Sequence, residues 1–202
     1  MTDWKILNNV TISGGKVIVN GKTEHSLDDN FVGFSKELFN EYSKGYSKFF
    51  KMDKLSKLAF ISSEILLKGH TIPEDKKNEV ALIIGNSAAT TPTDTKYFDS
   101  MTKIPSPAVF VYTLPNILIG EICIRNKFYG ENLFFVSENF NCDELLLHIE
   151  TLINSTNTQY IIAGWVNYEN DEEYLANIYL ISQSKSYISL SKKNLENNLK
   201  LL

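Results

Sequence analysis

The sequence predicts an α/β domain whose elements run in the order βαβαβαββ around a mainly parallel, five-stranded sheet. Three observations lead there. Short, continuous apolar runs such as Val80-Ala81-Leu82-Ile83-Ile84 have the pattern of strands covered on both faces. Segments of helical periodicity alternate with these runs, the arrangement of right-handed crossover units. Of 202 residues, 43% are apolar and 22% charged, which supplies a core and excludes a disordered chain.

The elements follow in order. Val10-Thr11-Ile12 and Val17-Ile18-Val19 are β-branched runs around Gly14-Gly15, a pair suited to a tight hairpin turn. Residues 31–50 lack a clean period and predict short helical pieces interrupted near Gly45. Residues 53–67 open on the N-cap type Asp53, carry Leu55, Leu58, Ala59, Ile65 and Leu66, and stop before Gly69, which predicts a largely buried helix. Residues 79–85 read as a buried strand, 86–94 as a polar loop and 95–101 as a short helix. A helix over 117–124 has Asn116 as its expected cap. Leu133-Phe134-Phe135-Val136 predicts another buried strand within 132–137. Over 143–153, Leu145, Leu146, Ile149, Leu152 and Ile153 form the apolar stripe of a helix. Two last strands, 160–165 and 176–181, are joined without a helix and should be antiparallel. Residues 1–185 thus read as a single domain, with 186–202 as a C-terminal strand or tail.

Composition excludes several classes. With 20 Lys+Arg against 24 Asp+Glu, the net charge is −4, and no dense basic block offers the footprint of a nucleic-acid binder. The apolar stretch 104–120 is broken by Pro105, Pro107 and Pro115 and is too short to insert into a membrane. Met1-Thr2-Asp3-Trp4 has no export-signal pattern. Cys123 and Cys142 are the two cysteines and form no CxxC motif, which fits a reducing cytoplasm and argues against structural zinc. No metal and no cofactor is expected.

Candidate chemistry is sparse. Gly85-Asn86-Ser87 follows a strand but lacks the spacing of a phosphate loop or a nucleophile elbow, so small residues there serve a tight strand exit. Cys142 stands near a helix start, where the dipole lowers a thiol pKa, yet Asp143 and Glu144 oppose it. His148 lies about a turn and a half downstream, on the flank of the apolar stripe. Cys123 reads as core. Gly120 interrupts a good helical pattern and implies a close approach, by a crossing helix or by an apolar ligand tunnel. Glu121, inside an apolar run, must be exposed or paired.

Three stretches resemble a known family. Lys48-Phe49-Phe50-Lys51-Met52-Asp53-Lys54-Leu55-Ser56-Lys57-Leu58-Ala59 resembles the early basic helix region of bacterial beta-ketoacyl synthases. Ser106-Pro107 through Asn116, Gly120, Glu121 and Ile122 resembles their segment before the nucleophile. Ile162-Ala163-Gly164 is similar to their strand after the nucleophile helix. The resemblance covers residues 48–182, and the strand and helix order matches one half of the duplicated thiolase fold. Where active members open the nucleophile helix with Cys, this chain has Asn139 or Phe140, and neither forms an acyl thioester. Cys142 is two or three residues late, a rotation of about 200 to 300° on a helix. The family's catalytic histidines lie in a second half that this chain does not contain.

The resemblance is closest to truncated, non-catalytic chain length factors of aryl polyene, flexirubin and related polyketide or fatty-acid-like pathways. It implies a heterodimer with a full-length beta-ketoacyl synthase whose acyl tunnel this chain closes, and no condensation by this chain itself. By the same analogy Phe110, Tyr112, Thr113, Asn116, Ile117, Gly120 and Glu121 line the interface or tunnel. Two other readings stand beside it. One is a minimal beta-ketoacyl-ACP synthase-type acyltransferase using Cys142 with His148. The other is an acyl or acyl-carrier-protein binding module, in which Lys48, Lys51, Lys54 and Lys57 meet an acidic carrier or, as the plainer alternative, form a solvated helix face.

Overall fold

Gly14 and Gly15 take the positive φ values of a two-residue hairpin turn, 52° and 70°, in a computed structural model that describes residues 3–102, 104–183 and 188–199. They join β1 (Trp4–Ser13) to β2 (Lys16–Val19). A second such turn at Asn20-Gly21 leads into β3 (Lys22–Ser26), a strand that its exposed polar residues concealed from sequence patterning.

The helices follow the expected chemistry more closely. α1 (Phe31–Tyr42) is capped by Asn30, and a 3-10 stretch at Ser47–Lys51 follows the break near Gly45. α2 (Lys54–Leu67) is capped by Asp53, whose carboxylate accepts from the Ser56 amide. After β4 (Val80–Asn86) the chain forms α3 (Thr91–Ser100), the short α4 (Pro107–Phe110) and α5 (Ile117–Asn126). α3 begins earlier than the predicted 95–101 because Pro92 sits in its first turn, where its missing N–H costs nothing. Asn116 makes no side-chain cap: its backbone is already helical, at φ −73° and ψ −7°, after the 3-10 turn Val111–Thr113. Then come β5 (Asn132–Val136), α6 (Cys142–Ser155), β6 (Tyr160–Tyr168), β7 (Tyr174–Gln183) and α7 (Lys192–Leu199).

One sheet of seven strands, in the order β3-β2-β1-β7-β6-β4-β5, replaces the expected mainly parallel sheet of five. Only β4 with β5 and β4 with β6 are parallel. The β6-β7 pair is antiparallel, as its helix-free link requires, and β1, β2 and β3 continue beside β7 as an antiparallel meander. The cause is connection length: helical crossovers join β4, β5 and β6, whereas short turns join β1 to β2 to β3 and β6 to β7, and α1 and α2 carry the chain from β3 to β4. β5 was expected to be buried, but it is the edge strand and leaves Asn132 and Val136 exposed.

Two apolar layers cover the sheet. α1, α2 and α5 pack on one face with Val80, Leu82 and Ile84 of β4. α6 and Leu195 of α7 pack on the other, against Ile83, Ile161 and Tyr179. The tail therefore contains a docked helix; residues 186, 187 and 200–202 of the predicted tail lie outside the described residues. No single helix among the described residues is long and apolar enough to cross a membrane.

Candidate functional site

The chain leaves β4 for α3 to α5 on one face and leaves adjacent β5 for α6 on the other. Connections that diverge in this way open a crevice at the carboxyl ends of the strands, where α/β sheets bind ligands. Asn139 and Phe140 follow β5 on one side of this crevice. A cavity of about 500 Å³ lies there, lined by Ser137 to Cys142 and by Lys192 and Glu196 of α7.

The Ser137 amide and several amides beside the crevice are already engaged. Asn141 Oδ1 accepts from the amides of Asp143 (2.9 Å) and Glu144 (3.4 Å), capping α6. Across the crevice, Asn167 Oδ1 accepts from the amides of Ser87 (3.3 Å) and Ala88 (3.2 Å), and Asn86 Oδ1 from that of Ala89 (2.9 Å). The Ser137 amide donates to the Asn86 carbonyl. An oxyanion hole needs amides aimed at empty space, and these point at side-chain oxygens or a carbonyl.

Asn139 is exposed, and Phe140 is half-buried with its ring 5.9 Å from that of Trp165. Cys142 is buried, and desolvation first, then the Glu196 carboxylate, pushes its thiol from 9.0 to about 11. The His148 ring lies 4.8 Å from that of Phe135. Lys192 of α7 pairs with Asp143 beside Cys142. Gly85 has a further reason to be glycine: a Cβ there would run into the Phe135 ring.

On the opposite face, two of the sequence-derived groups meet. Tyr112 Oη donates to buried Glu121 Oε1 at 3.0 Å, and Lys48 Nζ lies 2.8 Å from Oε2. Glu121 is thereby paired, as an apolar surrounding demands. Burial, followed by the Glu121 charge, raises the Tyr112 phenol above its ordinary range. Phe110 is half exposed against Tyr97, Thr113 donates to the Phe110 carbonyl, Asn116 is exposed and Ile117 is partly buried. Gly120 corrects the expectation of a helix crossing: no described atom comes within 4 Å of a Cβ built there. Phe98, Met101, Ile104, Phe110, Val111 and Leu114 leave an exposed apolar run between α3 and α5.

The remaining lysines do not form one flat basic face. Lys51 is exposed, Lys54 reaches both oxygens of Asp171 (2.9 and 3.0 Å), and Lys57 lies 5.6 Å from the Phe49 ring centre. Lys54 and Lys57 instead line a cleft of about 540 Å³ with Lys51, Lys96, Tyr112 and Tyr168. Lys96, Asn167, Tyr168 and Asp171 were missed from the sequence because distant elements bring them here. Asn141, an N-cap residue directly before Cys142-Asp143-Glu144, was legible.

No protein-family model matches the sequence, and no curated protein matches it. Solved structures do. The ishigamide ketosynthase/chain length factor aligns with TM-score 0.67 at 13% identity, over 92% of this chain and 63% of that one. A ketosynthase (ApeO) in complex with its chain length factor (ApeC) from Xenorhabdus doucetiae aligns with TM-score 0.57 at 14% identity, over 90% and 79%. The AntDE:AntF structure, a type II polyketide synthase acyl-carrier protein in complex with its ketosynthase, aligns with TM-score 0.59 at 12% identity, over 89% and 62%. The chain spans less than two thirds of the first and third of these. The fold is that of ketosynthase and chain length factor chains.

Proposed function

We propose that the chain is a non-catalytic, ketosynthase-like chain length factor that pairs with an active beta-ketoacyl-ACP synthase and shapes its acyl tunnel. One observation carries the reading. Where the family resemblance puts the acyl-accepting thiol, Phe140 packs toward Trp165, and the amides of Asp143, Glu144, Ser87 and Ala88 near it are bound by Asn141 and Asn167. Covalent acyl transfer needs an activated nucleophile and free oxyanion donors.

Pairing is supported by the edge of the sheet. β5 presents Asn132-Leu133-Phe134-Phe135-Val136 without charge, proline or bulge, although free edges are ordinarily guarded. Val136 on the strand is 55% exposed, Tyr129 (69%) and Ile124 (62%) in the segment leading to it are exposed apolar residues, and Cys123 Sγ, 3.5 Å from Asn132 Oδ1, ties α5 to that edge. A partner strand and an apolar surface would satisfy both features at once.

Co-expression with a full-length ketosynthase from the same source tests the proposal. A stable heterodimer is expected, lost in the Val136→Lys/Ile124→Lys variant while the melting temperature holds. A chain that stays monomeric with the ketosynthase, or a purified chain that condenses acyl thioesters alone, overturns it.

A further inference from the structure

The cleft between α2, α3, α4 and the β6-β7 turn is separate from the β5 exit and has its own chemistry. Its floor and apolar wall come from Met52, Leu55, Pro92, Ala108, Val109 and Tyr112, and its volume of about 540 Å³ is within the usual range of small-molecule sites. Lys51, Lys54, Lys57 and Lys96 bring four ammonium groups to the same walls, against Asp53, Glu169 and Asp171.

Those carboxylates already have partners. Asp53 accepts from the Ser56 amide (2.9 Å) and from Thr93 Oγ1 (2.8 Å). Glu169 accepts from Asn167 Nδ2 (3.1 Å), and Asp171 takes Lys54 and the Tyr168 hydroxyl (2.7 Å). Lys57 and Lys96 form no ion pair among the described residues. Lys57 has its pKa lowered by burial; the Asp53 charge opposes this, and the Lys54 and Lys96 charges add to it. Positive charge is therefore held in a partly apolar cavity with less internal compensation than it can use.

We propose that this cleft binds a small amphipathic carboxylate, with Lys57 and Lys96 holding the head group and Leu55, Val109 and Tyr112 receiving the apolar chain. Lysine point charges without an arginine fork or a nest of free amides suit a singly charged head better than a phosphate. Tyr112 lines the cleft with its hydroxyl turned to Glu121 and so unavailable to the ligand. The proposal is independent of the pairing proposed above.

Calorimetric titration of the full chain with decanoate, decanol and decyl phosphate tests it. One saturable decanoate site per chain is expected, with decanol about tenfold weaker, the loss of one charge-assisted contact. Lys57→Gln/Lys96→Gln should weaken decanoate by a similar factor with unchanged melting, and Val109→Trp should block it sterically. Lys36→Gln, on the exposed face of α1, should leave it unaltered. Absence of saturable binding, equal affinity for decanol, tighter binding of decyl phosphate, or indifference to the lysine substitutions overturns the proposal.

Discussion

Glu121 shows how a single residue reconciles two incompatible demands. It lies in an apolar helical run and is 3% exposed, yet its side chain is paired because Lys48 and Tyr112 reach it from outside that helix. Breaking a buried pair costs more than the pair contributes, because the remaining charge is stranded. Lys48 is partly solvated, so the cost is moderated. Lys48→Met should destabilise the fold by about 2 kcal/mol in urea unfolding, and Lys48→Met/Glu121→Gln should recover most of the loss. Two independent, additive losses would contradict this coupling. The sequence required Glu121 to be exposed or paired without saying which, since Lys48 is distant along the chain.

At the scale of elements, α6 and α7 act on one thiol. Cys142 opens α6, and α7 covers it through Leu195, fully buried beside it, and through the Lys192 to Asp143 ion pair. With its pKa at about 11, the thiol is protonated at neutral pH in the folded and unfolded chains alike. Between 9.0 and about 11 only the unfolded chain releases this proton, so its contribution to stability is complete below that window and is lost as pH rises through it. Iodoacetamide should label Cys142 about a hundredfold more slowly at neutral pH than an ordinary thiol, from the difference in thiolate fraction. Leu195→Ala should cost about 3 kcal/mol and speed that labelling by loosening α7. Rapid labelling of the unaltered chain would argue for an activated nucleophile instead. α2, β4, α6 and β6 were legible because apolar period and caps are local properties. The start of α3, the bare Asn116 and the edge position of β5 were not, because they depend on what precedes or flanks the element.

For the whole molecule, β1 explains most of the difference between the expected and observed sheets. Asn8 and Asn9 break its apolar pattern, so its first half does not read as a strand, yet both are buried. Asn9 Nδ2 donates to Asn177 Oδ1 (3.0 Å), Thr11 Oγ1 donates to the same oxygen (3.1 Å), and Asn177 Nδ2 donates to Tyr179 Oη (2.8 Å). Tyr179 in turn donates to the Leu195 carbonyl at 2.9 Å, linking the sheet centre to α7. Hydrogen exchange should therefore be slowest in β7, β6 and β4 and fastest in β3, whose residues are exposed. Protection of β3 equal to that of β7 would place the cooperative unit elsewhere. The sequence by itself determined the α/β class, the main helices and the antiparallel final pair, all carried by residue types and local periodicity. Only the tertiary structure decided that the sheet has seven mixed strands, that the Ser87, Ala88, Asp143 and Glu144 amides at the crevice are occupied, and that Lys57 and Lys96 share a cleft. Those facts depend on hydrogen bonds and charges between residues far apart in the chain, which no local pattern records.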